Sequence, residues 1–216
     1  DSICFYYSPD TKLHVHNSNV LAASFLSRLG DITMEERYGV QAEKAVSYTL
    51  SHQLTDGSWL YYGPPECNTV KALDNFHTGF VIQGLLDFYN VTKNSKVKDS
   101  LVWGLAFYKN RMFDENGAPR PRPDRKYPQN IHDSAQGIIT LIKAKELDGT
   151  APNVANKILR WTFSKLRSPD DLFYYEINEL RILHKGIFLR WNLSWMFLAL
   201  ALALEFRLLH RKSDVV

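Results

Sequence analysis

At 216 residues, with 45% hydrophobic and 23% charged side chains, the chain has the composition of a globular domain with a real core, which excludes a disordered segment. Its 26 basic and 23 acidic residues leave a net charge of +3 and are mixed along the sequence, which excludes the concentrated basic face of a nucleic-acid binder. Two cysteines, Cys4 and Cys67, are too few for a disulfide framework, and a reducing, cytoplasmic compartment is the default.

The chain begins at Asp1 on an apolar run, Ile3-Cys4-Phe5-Tyr6-Tyr7, the start expected of a processed chain or a fragment. Two signatures then interleave. One, a helix start, recurs at His16, His77, His132 and Trp191, with spacings of 61, 55 and 59 residues. The other, a helix end followed by a polar turn and aromatics, recurs at Tyr48, Phe107 and Trp161, with spacings of 59 and 54. Two anchors with one period make a repeat.

Each repeat reads as a helical hairpin. The first helix of a pair is apolar on nearly all sides, as at Val20-Leu21-Ala22-Ala23 and Gly137-Ile138-Ile139, and is expected to be buried all round. The second is amphipathic, as in residues 35–52, where Val40, Ala45, Val46 and Leu50 alternate with Glu35, Glu36, Glu43 and Lys44. Gly30 is expected to end the first helix, and Thr33 with Glu36 has the spacing of a capping box for the second. The apolar stretch 193–204 falls short of the roughly 20 residues a bilayer needs, so it reads as a buried helix and no membrane span is expected. No sustained period-2 alternation suggests a sheet; residues 59–62 and 173–175 are short β-like pieces.

The expected fold is therefore all-α, with about seven helices in three and a half hairpins, laid out as an α/α solenoid or toroid. Links within a hairpin are short (30–32, 90–94, 148–150) and links between hairpins are long (54–75, 113–131, 168–189). Long loops in a compact domain tend to carry function. In such an array they share one face with the N-termini of the first helices, whose free N–H groups favour anions.

Gln53-Leu54-Thr55-Asp56-Gly57-Ser58-Trp59 resembles the Gln–Trp repeat of α/α-toroid proteins, which include terpenoid cyclases, prenyltransferase β subunits and several carbohydrate-active enzymes. A wider series consists of His14-Val15-His16-Asn17, Asp74-Asn75-Phe76-His77-Thr78-Gly79, Tyr127-Pro128 with Ile131-His132, and Arg190-Trp191 with Trp195. It resembles bacterial and archaeal toroid proteins associated with polysaccharide biosynthesis, some of them labelled delta-aminolevulinic acid dehydratase. The βα alternation of that dehydratase's TIM barrel is absent here. The resemblance implies one toroid domain over 1–216, matching the C-terminal portion of a longer ring of about six hairpins. Such an incomplete toroid would be closed by preceding hairpins or by self-association.

Polar residues gather where the first helices begin: His16 and Asn17, Asp74 and His77, His132 and Asp133, and Arg190. Helix capping explains Asn17, Asp74 or Asp133 equally well, but an arginine supplies no acceptor. Read as a site, His77, His132, Asp74, Asp133 and Tyr127 are candidate acid–base groups. His16, Asn17, Trp59, Tyr61, Tyr62, Arg190, Trp191 and Trp195 are candidate substrate contacts. A carboxylated sugar suits Arg190 as a bidentate partner and the histidines as cations or proton donors, and uronate epimerases and lyases use Tyr or His as acid and base.

Two other readings stand beside this one. Asp74 and Asp133, on successive first helices with axes about 8–10 Å apart, suit the roughly 6.5–9.5 Å carboxylate pair of an inverting glycoside hydrolase. A non-catalytic interaction module with a toroid groove needs no such pair. Ser168-Pro169-Asp170-Asp171 does not match the acidic motif of a terpenoid cyclase, and Cys67 with His77 is too loose for a zinc site, so no metal or cofactor is expected. The basic, proline-rich stretch 118–126 is either a rigid solvated loop or a cleft wall against an acidic polymer. The expected partner is a carbohydrate, acidic in character, and not a nucleic acid.

Overall fold

In the computed structural model, which describes residues 2–213, the hairpin order is the one expected. The helices are α1 (His16–Thr33), α2 (Glu36–Ser51), α3 (Asn75–Thr92), α4 (Ser95–Arg111), α5 (Ile131–Lys143), α6 (Ala151–Lys165) and α7 (Ser194–Ser213). The chain forms two compact units, Asp1–Tyr108 and Lys109–Val216. In the first, α1 packs on both α2 and α3; in the second, α5 packs on both α6 and α7. First helices thus lie side by side with their hairpin partners against them, the all-α layout of a partial α/α toroid. Three two-residue strands in the second unit, β1 (Gln129–Asn130), β2 (Glu176–Ile177) and β3 (Leu183–His184), pair antiparallel in that order. They tie the loop before α5 to the loop before α7.

The apolar pattern of α5 has the expected result, with every residue from Ile131 to Ile142 buried. Each such isoleucine or leucine contributes about 1.5–3 kcal/mol. The same expectation fails for α7, where Phe197 is 77% exposed and Leu198, Leu204, Leu208 and Leu209 are exposed as well. Only one face of α7 meets α5, and no helix among the described residues covers the rest. Residues Leu189–Leu209 are long and apolar enough to cross a membrane by length and composition, with a mean hydropathy of 1.5. The first turnover also differs from expectation. Gly30 lies inside α1, which ends at Met34 in the left-handed region (φ 59°). Thr33 belongs to α1, its hydroxyl donating to Leu29 O at 2.7 Å. Glu35 precedes α2 without a side-chain cap, so there is no capping box.

The long loops share a turn that the sequence repeat only hinted at. Leu54 N–H donates to Ser58 O (2.8 Å) and Gly57 N–H to Leu54 O (2.9 Å). Sixty residues on, Asp114 N–H donates to Ala118 O and Gly117 N–H to Asp114 O, both at 2.8 Å. After a further 54, Ser168 N–H donates to Leu172 O (2.8 Å) and Asp171 N–H to Ser168 O (3.2 Å). The fourth residue is left-handed each time: Gly57 and Gly117 at φ 90°, Asp171 at φ 61°. Both glycines are pressed on the backbone of the second helix of the next hairpin. A Cβ on Gly57 would lie 2.5 Å from Trp103 O in α4, and one on Gly117 2.3 Å from Lys157 C in α6. The side chain of Asp171 is exposed and pairs with Arg167.

Gly57→Ala and Gly117→Ala are each expected to lower unfolding free energy by more than about 2 kcal/mol in urea melts, through strain plus a backbone clash. Asp171→Gly should change it by less than about 1 kcal/mol, the relief of left-handed strain offsetting an exposed ion pair.

Candidate functional site

In the first unit, four of the expected residues meet at the start of α3. Asp74 has extended backbone (φ −143°) and caps the helix, its Oδ1 accepting from His77 N at 3.0 Å. Its other oxygen, Oδ2, accepts from His77 Nδ1 at 2.7 Å. Capping and site chemistry are therefore one arrangement. An ionised carboxylate only accepts, so Nδ1 carries a proton, and in the neutral ring the lone pair then lies on Nε2. Tyr61 lies beside this pair, ring centroids 4.5 Å from His77, with Tyr62 edge-on to Tyr61 at 4.6 Å. The segment carrying both tyrosines is held by His16 N–H to Tyr61 O (3.2 Å), Tyr61 N–H to Ala72 O (2.7 Å) and a bridge between Val15 and Tyr62.

Burial first, and then the negative charge that Tyr7, Tyr62 and Asp74 bring, push the Tyr61 phenol up to about 12. It therefore holds its proton at neutral pH and can donate it. Asn17 Oδ1 is buried without a partner and lines a cavity of about 10 Å³ shared with Tyr61, Asp74 and His77, room for about one water. The side chains of His77 and Asp74 stay partly exposed on the other side, where a ligand can reach them.

His16 and Trp59, expected as substrate contacts, are core residues instead. His16 is 1% exposed, with its Nδ1 3.3 Å from Thr49 Oγ1 and its ring 5.6 Å from Tyr48 and 5.8 Å from His52. Trp59 is 2% exposed, and its indole N–H donates to Thr49 O at 3.0 Å. The Gln–Trp motif is a staple: Gln53 Nε2 donates to Gly57 O (2.9 Å) and Ser100 O (3.0 Å), while Ser100 Oγ donates to Gln53 Oε1 (2.7 Å). That is why the motif marks a fold and no chemistry.

In the second unit, His132 and Asp133 are 2% and 1% exposed, which removes them from direct work on a substrate. His132 is enclosed by Trp191 and Trp195, centroids 4.8 and 4.9 Å away, and Trp191 hydrogen-bonds the Tyr175 hydroxyl. Both tryptophans are half-buried and cover the histidine. Asn130 caps α5, accepting from Asp133 N at 2.9 Å, so Asp133 is not the cap. Arg190 sits in a π-helical turn, Leu189–Leu193, that leads into α7; it is exposed and makes no ion pair among the described residues. Tyr127 stands apart in an open cleft, with the Arg181 guanidinium 5.9 Å from its ring centroid. Arg181, Lys165 and Gln129 in this cleft escaped sequence reasoning. The turn residue Asn178, three positions before Arg181, was the one available signal. Among the described residues, no cluster of three or more His, Cys, Asp or Glu is placed to hold a metal.

Burial, and secondarily the nearby His52, lower the His16 pKa from 6.5 to about 3. The folded protein therefore keeps His16 neutral while the unfolded chain takes up a proton below about pH 6.5. The associated stability is complete above that pH and is lost as pH falls, by up to about 1.4 kcal/mol per pH unit. Urea melts between about pH 6 and 4 should show this slope, and His16→Gln should flatten it.

No protein-family model and no curated protein matches the chain. Solved structures do match. A family 76 glycoside hydrolase (mannosidase) from Bacteroides thetaiotaomicron superposes with a TM-score of 0.69 at 16% identity, over 91% of this chain and 56% of that one. A polysaccharide lyase gives 0.68 at 13% identity, over 94% and 62%. Cellobiose 2-epimerase from Spirochaeta thermophila gives 0.73 at 9% identity, over 86% and 53%. The chain spans between about half and two thirds of the length of these proteins. At such identities the likeness is one of fold: the chain has the α/α-toroid fold, in part.

Proposed function

We propose that the chain belongs to a carbohydrate-active protein that transfers protons on an acidic polysaccharide, with His77 as base, Asp74 as its orienting partner and Tyr61 as acid. One observation carries the reading: the 2.7 Å Asp74–His77 hydrogen bond with a protonated tyrosine beside it at a partly exposed helix start. The fold neighbours include a polysaccharide lyase and an epimerase, and a role in polysaccharide biosynthesis, implied by the motif resemblance, is compatible with it.

The proton next to a uronate carboxylate is the acidic one. In β-elimination His77 Nε2 takes it, the bond to the glycosidic oxygen breaks, and the Tyr61 hydroxyl returns a proton to that oxygen. Base and acid sit side by side, with centroids 4.5 Å apart, which suits removal and delivery on one face of the sugar. Epimerisation needs reprotonation from the opposite face, where this pair supplies no donor, so elimination is the preferred reaction. A glycoside hydrolase is among the fold neighbours as well, but the burial of Asp133 speaks against Asp74 and Asp133 as the carboxylate pair of an inverting hydrolase.

Elimination creates a conjugated unsaturated uronate that absorbs in the ultraviolet. His77→Ala and Tyr61→Phe should each lower kcat on a uronate polymer by about 10²–10⁴-fold with little change in KM. Asp74→Asn should lower it at least about tenfold by releasing the imidazole. Unchanged rates in His77→Ala and Tyr61→Phe would reject these two residues as base and acid, and no elimination by the parent protein would favour a non-catalytic binding module.

A further inference from the structure

We infer that the open cleft of the second unit, between the loop before α5, the end of α6 and the β2–β3 turn, is a binding subsite for the carboxylate of an acidic sugar. The cleft has a volume of about 280 Å³ and is lined by Lys126, Tyr127, Gln129, Trp161, Lys165 and Arg181. Three of these are cations. The one acidic residue in the lining, Asp114, is already held by Arg120 Nε at 2.7 Å and faces Lys126 Nζ at 3.3 Å. Lys165 and Arg181 make no ion pair among the described residues, and both are exposed. The cleft therefore offers positive charge that the protein does not itself neutralise.

Charge alone fits any anion; the floor narrows the choice to a sugar. Gln129 is 4% exposed, yet its amide makes no side-chain hydrogen bond with another described residue. An amide in the cleft lining that the protein does not itself pair is suited to hydroxyls. Trp161 and Tyr127 add aromatic surface to the same cleft. Arg181 is placed by its turn: Arg181 N–H donates to Asn178 O at 2.9 Å, and Asn178 Oδ1 accepts from Leu180 N and Ile182 N, both at 3.0 Å. A guanidinium carried on a hydrogen-bonded turn, two ammonium groups, an open amide and aromatic rings together match a carboxylate on a polyhydroxylated ring.

This subsite rests on the carbohydrate reading above but not on the proton-transfer pair, and the two fail separately. The probes are trigalacturonate and its fully methyl-esterified form, titrated calorimetrically at low salt. The acid form should bind at least about tenfold tighter than the ester, the worth of a charge-assisted hydrogen-bonded contact. Arg181→Gln and Lys165→Gln should each remove a large part of that preference and the double variant all of it. Gln129→Leu should weaken both forms alike. His77→Ala and Tyr61→Phe should leave the preference intact, whatever they do to turnover. Equal binding of acid and ester, a preference that survives in the double variant, or no binding of either probe would overturn the subsite. So would full displacement of trigalacturonate by equimolar sulfate, which would mark a site that reads charge without sugar. Arg181 and Lys165 are exposed, so circular dichroism of the variants should match the parent.

Discussion

A turn with a left-handed glycine as its fourth residue, seated directly on the backbone of the second helix of the next hairpin, is the contact on which the hairpin arrangement depends. At Gly57 and Gly117 the approach is so close that a single added carbon would collide with a carbonyl group of α4 or α6. That closeness fixes where each long loop leaves its hairpin. It also fixes where the loop must cross to reach the next first helix. In the first unit the loop then delivers Tyr61 and Asp74 to the start of α3. In the second it delivers Tyr127 and Gln129 to the start of α5. The chemistry-bearing side chains are thus positioned by a backbone contact that contains none of them.

The same repeat position meets different surroundings, and this decides the fate of each polar residue. His16, His77 and His132 all stand within the first three residues of a helix. His16 turns toward Thr49 and His132 is enclosed by two tryptophans, so both are interior groups. His77 keeps an exposed edge beside its carboxylate partner. A helix start with a histidine is therefore only an opportunity. Its outcome depends on whether a large side chain from elsewhere closes over it.

This also explains how far the sequence could be read. The period, the hairpins and the pairing of short with long links were legible because they rest on local apolar spacing and turn residues. Gly30 misled because a glycine in α1 serves the interior of a helix as well as its end. Burial of His16 and Trp59 was not legible, since both depend on Thr49, which carries no signal of its own. The exposure of α7 was equally hidden, because apolar composition does not say how many faces find a partner. The Asp74–His77 pair was legible because three residues along a helix start are neighbours in any helix. Arg181 was not, because its place comes from a tertiary turn.

The carboxylate of Asp74 has one further consequence. A single side chain both starts α3 and holds the imidazole, so the integrity of that helix end and the orientation of the base are the same event. Fraying of the first turn of α3 releases His77 long before the hydrophobic core opens. The proton transfer proposed for this site should therefore fade on warming while the fold is still intact, with its upper temperature set by one helix end and not by the melting of the protein.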